Sequence, residues 1–492
     1  DVVPMVVINK IDRPEARVEE VTEMVQDLFL ELATKPDQLD FPILYSSARE
    51  GYAISDIAGE RRDMQPLFDA IIDVIPPPEC DPGASLQMLV AALDYDNYLG
   101  QIAIGRIFQG SVHPSDTVSL MNRSGEVILH RVEKVFMFRG LERLEVPEAS
   151  AGDIVAIAGV DNVAIGETIA DQNDPEALPS IEIEEPTVKM TFGVNTSPLM
   201  GREGSHCTSR VLHDRLLREL RTNVSLRVET TSSPDVFLVS GRGELHLSIL
   251  VETMRREQFE FQVSRPEPVT KIVNNRVHEP YEHLTITTSE EYIGALTEYL
   301  SGRLAQLIDM KYDGSGNATI DYKIPTRGLI GFSSFFLRTT RGDGVKSSVF
   351  DGYEPMEGDV KATVNGVLVA SEPGSAVTYG LLNAQGRGST FIEPGTTVYE
   401  GMIVGMHPRE GDIPMNVCKE KKLTNMRSST ADVAKRLNAQ VKLSLEEALD
   451  FISTDELVEV TPLSVRMRKK FLTSEDRQRA RRQQARTAVE SE

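Results

Sequence analysis

Residues 2–8 read Val-Val-Pro-Met-Val-Val-Ile, an uninterrupted apolar run, and Asn9-Lys10-Ile11-Asp12 follow at once. A short run with no polar side is the pattern of a strand buried on both faces, as in a parallel sheet covered by helices. The start of the chain is therefore committed to an α/β layer. Pro14 precedes Val18, Val21, Val25, Leu28 and Leu32, apolar at helical spacing. Residues 41–45 read as a second buried strand and 67–75 as a second helix, stopped by Pro76-Pro77-Pro78. A chain that opens on Asp1 inside such a strand is expected to continue an α/β domain whose earlier part precedes it.

Ligands of open α/β sheets sit at the carboxyl ends of the strands, which is where Asn9-Lys10-Ile11-Asp12 lies. The Asp12 carboxylate can accept from both the ring N–H and the exocyclic amine of guanine, a pair of donors that adenine lacks. Asn9 can bond the base edge and hold the loop, while the Lys10 stem lies along the ring. Ser46-Ser47-Ala48 end the next strand, and their small side chains let a backbone N–H reach the base carbonyl. Adenine is excluded because it leaves the carboxylate half paired. These residues form the base-reading half of a nucleotide site. The sequence has no GxxxxGK[ST] and no Gly-Lys dipeptide at all, so catalytic residues, phosphate loop and Mg²⁺ ligands are expected upstream of Asp1.

At about 150 residues per domain, 492 residues suggest three or four domains. From 86 to 171 the text changes to short alternating runs broken by turn residues, the spacing of a small antiparallel barrel, and an acidic linker follows to 185. Two stretches then each repeat the order βαββαβ. The first has strands at 186–194, 225–229, 236–240 and 259–263 with helices at 209–220 and 243–256. The second has strands at 283–288, 304–312, 318–324 and 345–351 with helices at 290–300 and near 328–338. Both read as ferredoxin-like, split βαβ modules. Beyond about 361 come a glycine-rich β segment to His407 and a basic loop over 419–430. A helix at 445–451 and strands at 457–460 and 463–467 follow. Thr473-Ser474-Glu475-Asp476 then resembles a capping box opening an arginine-rich helix.

The net charge of −23 argues against a polyanionic partner only while it is read as one number. Residues 416–492 hold 16 Lys+Arg and 12 Asp+Glu, net +4, which leaves 36 and 63, net −27, for the rest. The positive charge gathers at Lys419, Lys421, Lys422 and Arg427, then at Arg466, Arg468, Lys469 and Lys470, and again along 477–486. Such densities neutralise phosphates and release counterions, so the loop and the 466–470 strand are predicted to contact RNA. The 477–486 helix lacks an apolar stripe and reads equally well as a solvated face. Three dispersed cysteines give neither a disulfide framework nor a metal pair, and no run spans a bilayer, so a reducing cytoplasm is expected. His278 and His283 imitate a zinc-protease pair, but the second is one residue late and Pro280 would break the helix. Ser240-Gly241-Arg242-Gly243 could cradle a phosphate at a helix start, though packing explains it more simply.

The base-reading loops, the Pro-Leu-Phe-Asp-Ala-Ile-Ile-Asp-Val-Ile-Pro exit at 66–76, the barrel segments at 99–103 and 151–156 and Ser-Gly-Arg-Gly-Glu-Leu-His-Leu at 240–247 resemble translational GTPases. Arg-Gly-Leu-Ile-Gly at 327–331, Arg-Thr-Thr-Arg-Gly at 338–342, Lys-Leu-Thr-Asn-Met-Arg at 422–427 and Asp-Glu-Leu-Val-Glu-Val-Thr-Pro at 455–462 are similar to the BipA/TypA family. The likeness runs from Asp1 to about Asp476, with Ala431 to Gln440 departing from the pattern. It implies a multidomain α/β, β-barrel and α+β chain. The parts are a remnant of a P-loop GTPase domain (1–78), a translation-factor barrel (85–180), ferredoxin-like domains (184–266 and 270–354), a family-specific RNA-binding domain (361–478) and a basic tail (479–492). It also implies a cytoplasmic, monomeric factor that binds GTP or GDP with Mg²⁺ and no membrane. Its partners are implied to be large-subunit ribosomal RNA and the acceptor end of transfer RNA, in subunit assembly and stress-adapted translation. Two alternatives stand beside it: a non-catalytic ribosome- or RNA-binding fragment, and another ribosomal GTPase such as a tetracycline-protection factor, which the 422–427 signature disfavours.

Overall fold

The computed structural model describes residues 3–33, 35–122, 125–140, 142–180, 185–314, 316–360, 366–420 and 437–490, without the side chains of residues 37 and 484–490. The strand Val6–Asn9 runs parallel to Ile43–Ser47, which pairs antiparallel with Tyr52–Ile54. Burial on both faces is not what the first strand shows: Ile8 is buried but Val7 is 38% exposed. The strand is the edge of a three-stranded sheet. Helices Val18–Leu32 and Gln65–Val74 contain no buried residue, and Leu28, Leu30, Phe68 and Ile72 are exposed. The α/β layer is thus thin.

Eight antiparallel strands between Gln87–Asp96 and Thr168–Asp171 form one sheet around a core that includes Met88, Ala103, Ile107, Leu120, Val155, Ile157 and Ile169. The first βαββαβ stretch gives Val188–Val194, Arg227–Thr230, Val236–Gly241 and Phe261–Ser264, with the first strand between the third and fourth. Helices Ser209–Leu220 and Glu244–Arg256 cover it through Leu212, Leu216, Leu247, Leu250 and Met254. The second stretch has the same order in Arg276–Ser289, Gln306–Tyr312, Asn317–Pro325 and Gly344–Pro355, under helix Glu290–Ser301 and the short pair Thr326–Leu329 and Phe332–Thr340. Both have the split βαβ order. His278 and His283 lie in one long strand, so the zinc-protease resemblance is void.

The C-terminal segment divides between a sheet of its own and the first split βαβ sheet. A four-stranded sheet holds Gly366–Ala370 between Ile403–His407 and Ile413–Met415. The hairpin Glu456–Val460 and Val465–Lys469 instead extends the first split βαβ sheet, Phe261 pairing with Val460 and Val263 with Val458. Phe192 and Phe261, stacked at 5.8 Å, share one core with Val367, Ile403, Leu449, Val458 and Met467. A division at 361 therefore cuts through a common interior. Arg255 reinforces the join by donating to the Pro462 carbonyl at 2.9 Å. The family motif at 327–331 acts at the exit from the second unit: Arg327 donates to buried Glu279 at 2.7 Å and to the carbonyls of Glu357 and Gly358 at 2.7 and 2.9 Å. Among the described residues no helix is long and apolar enough to cross a membrane.

Candidate functional site

The parallel pairing of Asn9 with Ser46 brings the two base-reading loops together at one end of the sheet. Asn9 Oδ1 is the hub: it accepts from the backbone N–H of Lys10 at 2.7 Å and of Ala48 at 3.1 Å, and from Ser46 Oγ at 3.4 Å. The side chain thus ties loop to loop, as its holding role requires. Lys10 adopts φ +66°, a left-handed conformation that turns the chain sharply after the strand and leaves the lysine exposed. One backbone N–H of the Ser46-Ser47-Ala48 segment, that of Ala48, is engaged by Asn9 here.

Ser46 and Ser47 are buried. The Ser47 hydroxyl hydrogen-bonds Asp12 and holds its carboxyl below the usual aspartate range, with Arg13 and Arg49 adding attraction. An ionised, positioned carboxylate beside a shared loop is what two guanine N–H donors need. A cavity of about 610 Å³ opens beside Asn9, Lys10 and Ile11, floored by Ile8, Val18 and Val21. The residues expected at the base are brought together by the Asn9–Ser46, Asn9–Ala48 and Asp12–Ser47 contacts, while the cavity is lined by Asn9 and Lys10 but not by Asp12 or Ser46–Ala48.

The basic residues divide. Lys419 and Lys470 are exposed, and Lys421, Lys422 and Arg427 lie outside the described residues. Arg466, Arg468 and Lys469 are internal, which corrects their assignment as RNA contacts. Arg468 is 1% exposed and Lys469 3%. Glu459, wholly buried, stands 3.2 Å from Arg466 Nε and 3.5 Å from Arg468 Nε, and it also accepts from the Tyr399 hydroxyl. Glu203 holds Arg466 from the other side at 2.8 Å. Lys469 Nζ is surrounded by Asp412 at 2.8 Å, Asp455 at 3.0 Å and Glu456 at 2.8 Å. A charge taken out of water must be paired, and a phosphate cannot reach these cations without breaking the pairs. Register was the missed signal: the hairpin sets Glu459 across from Arg466 and Glu456 across from Lys469. In the last helix, Arg477 caps the preceding carbonyls of Phe471 and Leu472, and Arg481 reaches Asp412 at 3.2 Å.

Ser-Gly-Arg-Gly at 240–243 is a packing turn. A Cβ on Gly241 would stand 2.9 Å from His246 Nδ1 and 3.0 Å from Leu247, so glycine is required for close helix approach. Among the described residues no cluster of three or more His, Cys, Asp or Glu is arranged to hold a metal.

Comparison with known proteins accounts for most of the chain. Residues 1–77 match the elongation factor Tu GTP binding domain, 100–170 elongation factor Tu domain 2, 276–364 the elongation factor G C-terminus and 365–474 the TypA/BipA C-terminal domain. A Synechocystis protein named large ribosomal subunit assembly factor BipA is 49% identical over 95% of this chain and 78% of its own length. Proteins of the same name from Bacillus subtilis and Salmonella typhimurium are 46% and 48% identical over 97% and 98% of this chain, and over 78% and 79% of their own. With its translation-factor architecture and a C-terminal segment matched by the family's own model, the chain belongs to the TypA/BipA family.

Proposed function

We propose that the chain acts in assembly of the large ribosomal subunit, as the ribosome-binding body of a guanine-nucleotide-dependent factor. The observation that carries this reading is the 46–49% identity, over 95–98% of the chain, to proteins named for that role. The base site at Asn9, Lys10, Asp12 and Ser46–Ala48 selects guanine, with Mg²⁺ on the phosphates of GTP or GDP. GTP favours the ribosome-bound arrangement and its hydrolysis, stimulated by the ribosome, releases the factor. Contact with ribosomal RNA and the transfer RNA acceptor end falls to Lys419, Lys421, Lys422, Arg427 and Lys470, in a monomeric cytoplasmic protein suited to stress-adapted translation. The division at 1–78, 85–180, 184–266, 270–354, 361–478 and 479–492 is kept as a working scheme, with the 456–469 hairpin moved to the 184–266 layer.

Binding of the 492-residue chain to isolated large subunits over a salt series tests the reading. Affinity falls steeply with salt, and Lys421→Glu with Lys422→Glu flattens the slope. Affinity no greater than for unrelated RNA of equal mass refutes it. The absence of a Gly-Lys dipeptide favours a second reading for a polypeptide of these 492 residues, in which it binds ribosomes without turning over GTP. Ribosome-stimulated phosphate release above background excludes that version.

A further inference from the structure

Three parts of the molecule meet at one pair of acids. Glu244 opens helix Glu244–Arg256 of the first split βαβ unit, and Asp450 sits near the end of helix Leu445–Phe451 in the C-terminal segment. Gly331 and Ser334 come from the second split βαβ unit. The Gly331 N–H donates to Glu244 Oε2 at 3.3 Å, and the Ser334 hydroxyl donates to Asp450 Oδ2 at 2.5 Å. Asp450 Oδ1 is buried and receives no N–H or hydroxyl donor among the described residues. Gly331 itself stands at φ +80°, where a Cβ would come 3.6 Å from the Asp450 carboxyl carbon. The Glu244 carboxyl is within hydrogen-bonding reach of Asp450, and two carboxyls so placed in a partly buried junction disfavour both being charged.

We propose that Glu244 is held as a neutral carboxylic acid that donates to Asp450 Oδ1, so that one proton rivets the two split βαβ units and the C-terminal segment together. Oε2 is occupied by the Gly331 N–H, which leaves Oε1 to carry the proton. Burial, and next the Asp450 carboxylate, push Glu244 up to about 9. The cations facing the junction offset the pair only in part, Lys346 attracting Glu244 and Arg303 attracting Asp450. Burial works against the Lys346 charge, and Glu282 shares it. Arg303 is committed to the carbonyls of Gly328 and Ile330 at 3.1 and 2.6 Å, with Tyr299 against it and Arg265 opposing it. Arg338 donates to the Ser334 carbonyl at 3.1 Å.

The sign follows from linkage. A carboxyl raised in the folded state keeps its proton while the unfolded chain loses its own near 4.5, so its contribution is full below that value and is lost as pH rises to about 9. Unfolding near pH 7 therefore releases about one proton from this site. Calorimetric unfolding of the full chain in buffers of different ionisation enthalpy counts released protons. Wild type is expected to release about one more than Glu244→Gln, which keeps a neutral donor in place. The infrared carbonyl band of a protonated acid, present at pH 7, should be missing from the difference spectrum of the variant. Equal proton release by the two proteins overturns the proposal, as does an unchanged carbonyl band. Should Glu244→Gln fail to fold, the wild-type band is followed across pH instead: its loss near pH 9 supports the rivet, and its absence at pH 7 sinks it.

Discussion

Removing the carboxylate of Glu459 is the sharpest test of where the C-terminal basic run spends its charge. The side chain is wholly buried, with Arg466 and Arg468 at 3.2 and 3.5 Å and the Tyr399 hydroxyl donating to it. In Glu459→Ala, Arg466 keeps Glu203 at 2.8 Å. Among the described residues Arg468 keeps neutral partners alone: the Lys469 carbonyl at 3.2 Å, the Thr196 hydroxyl at 2.7 Å and Gln262. An uncompensated guanidinium is left in an interior where its residue is 1% exposed. Breaking a buried pair in this way costs about 3–5 kcal/mol. Replacing Glu459 and Arg468 together by Met removes both charges and should cost far less, so the double-mutant cycle carries a coupling energy of at least about 1 kcal/mol. The chain has no tryptophan, so urea unfolding is followed by circular dichroism. Hydrogen exchange of residues 456–460 and 261–264 isolates this sheet from the other units. A loss below about 1 kcal/mol for Glu459→Ala refutes the ion network. So would Arg468→Met leaving stability intact while abolishing RNA affinity.

Phe261→Ala empties a site at the join of the two sheets and should cost about 3–5 kcal/mol in the same urea assay, loosening the Glu456–Val460 strand as well. Lys470→Glu should lower the slope of log affinity against log salt by about one phosphate contact, whereas folded Arg468→Met should leave the slope unchanged. Gly331→Ala should weaken the three-way junction, because its φ of +80° is unfavourable for an L side chain; faster limited proteolysis of the full chain reads this out. Arg255, then Arg256, bond Glu252 and hold its carboxyl near 2, so the clamp is complete above the unfolded value of 4.5 and fails as pH falls through about 2. Glu252→Gln should therefore destabilise near neutral pH, with the difference from wild type closing at the acid end of a thermal-unfolding series.

Local patterns carried much of this fold. The helices at 209–220 and 445–451 stand where their apolar spacing puts them, and both βαββαβ orders follow from alternating runs and helical stripes. The proximity of the Asn9 and Ser46 loops was legible because an apolar strand ending in Asn9-Lys10-Ile11-Asp12 fixes which end of the sheet they occupy. Three features were not. Pairing of 456–460 with 261–264 joins strands about two hundred residues apart, and neither strand's sequence names its neighbour. The exposure of Val7 depends on what covers that face of the strand, which its own residues do not encode. Lys469 and its neighbours look like phosphate ligands in a linear count, because charge density says nothing of what stands opposite. Counting register back from the Thr461-Pro462-Leu463-Ser464 turn finds those opposing acids.

That register argument changes what the positive C-terminus can do. The net +4 of residues 416–492 includes Arg466, Arg468 and Lys469, and all three are held by acids inside the fold. They contribute to the field at a distance but release no counterions on binding, since no phosphate replaces their carboxylates. On the proposed function the short-range contacts then fall to Lys419 and Lys470 on the described surface and to Lys421, Lys422 and Arg427, which lie outside the described residues. A buried pair is weak support for stability, because apolar replacements often do as well, but it discriminates strongly among alternative packings. Here Glu459 opposite Arg466 favours the observed register of the 465–469 strand, since a one-residue slip in either direction sets Arg466 opposite a valine, Val458 or Val460. The buried charges set the pose of the C-terminal segment on the first split βαβ sheet, and so the direction in which the exposed lysines point.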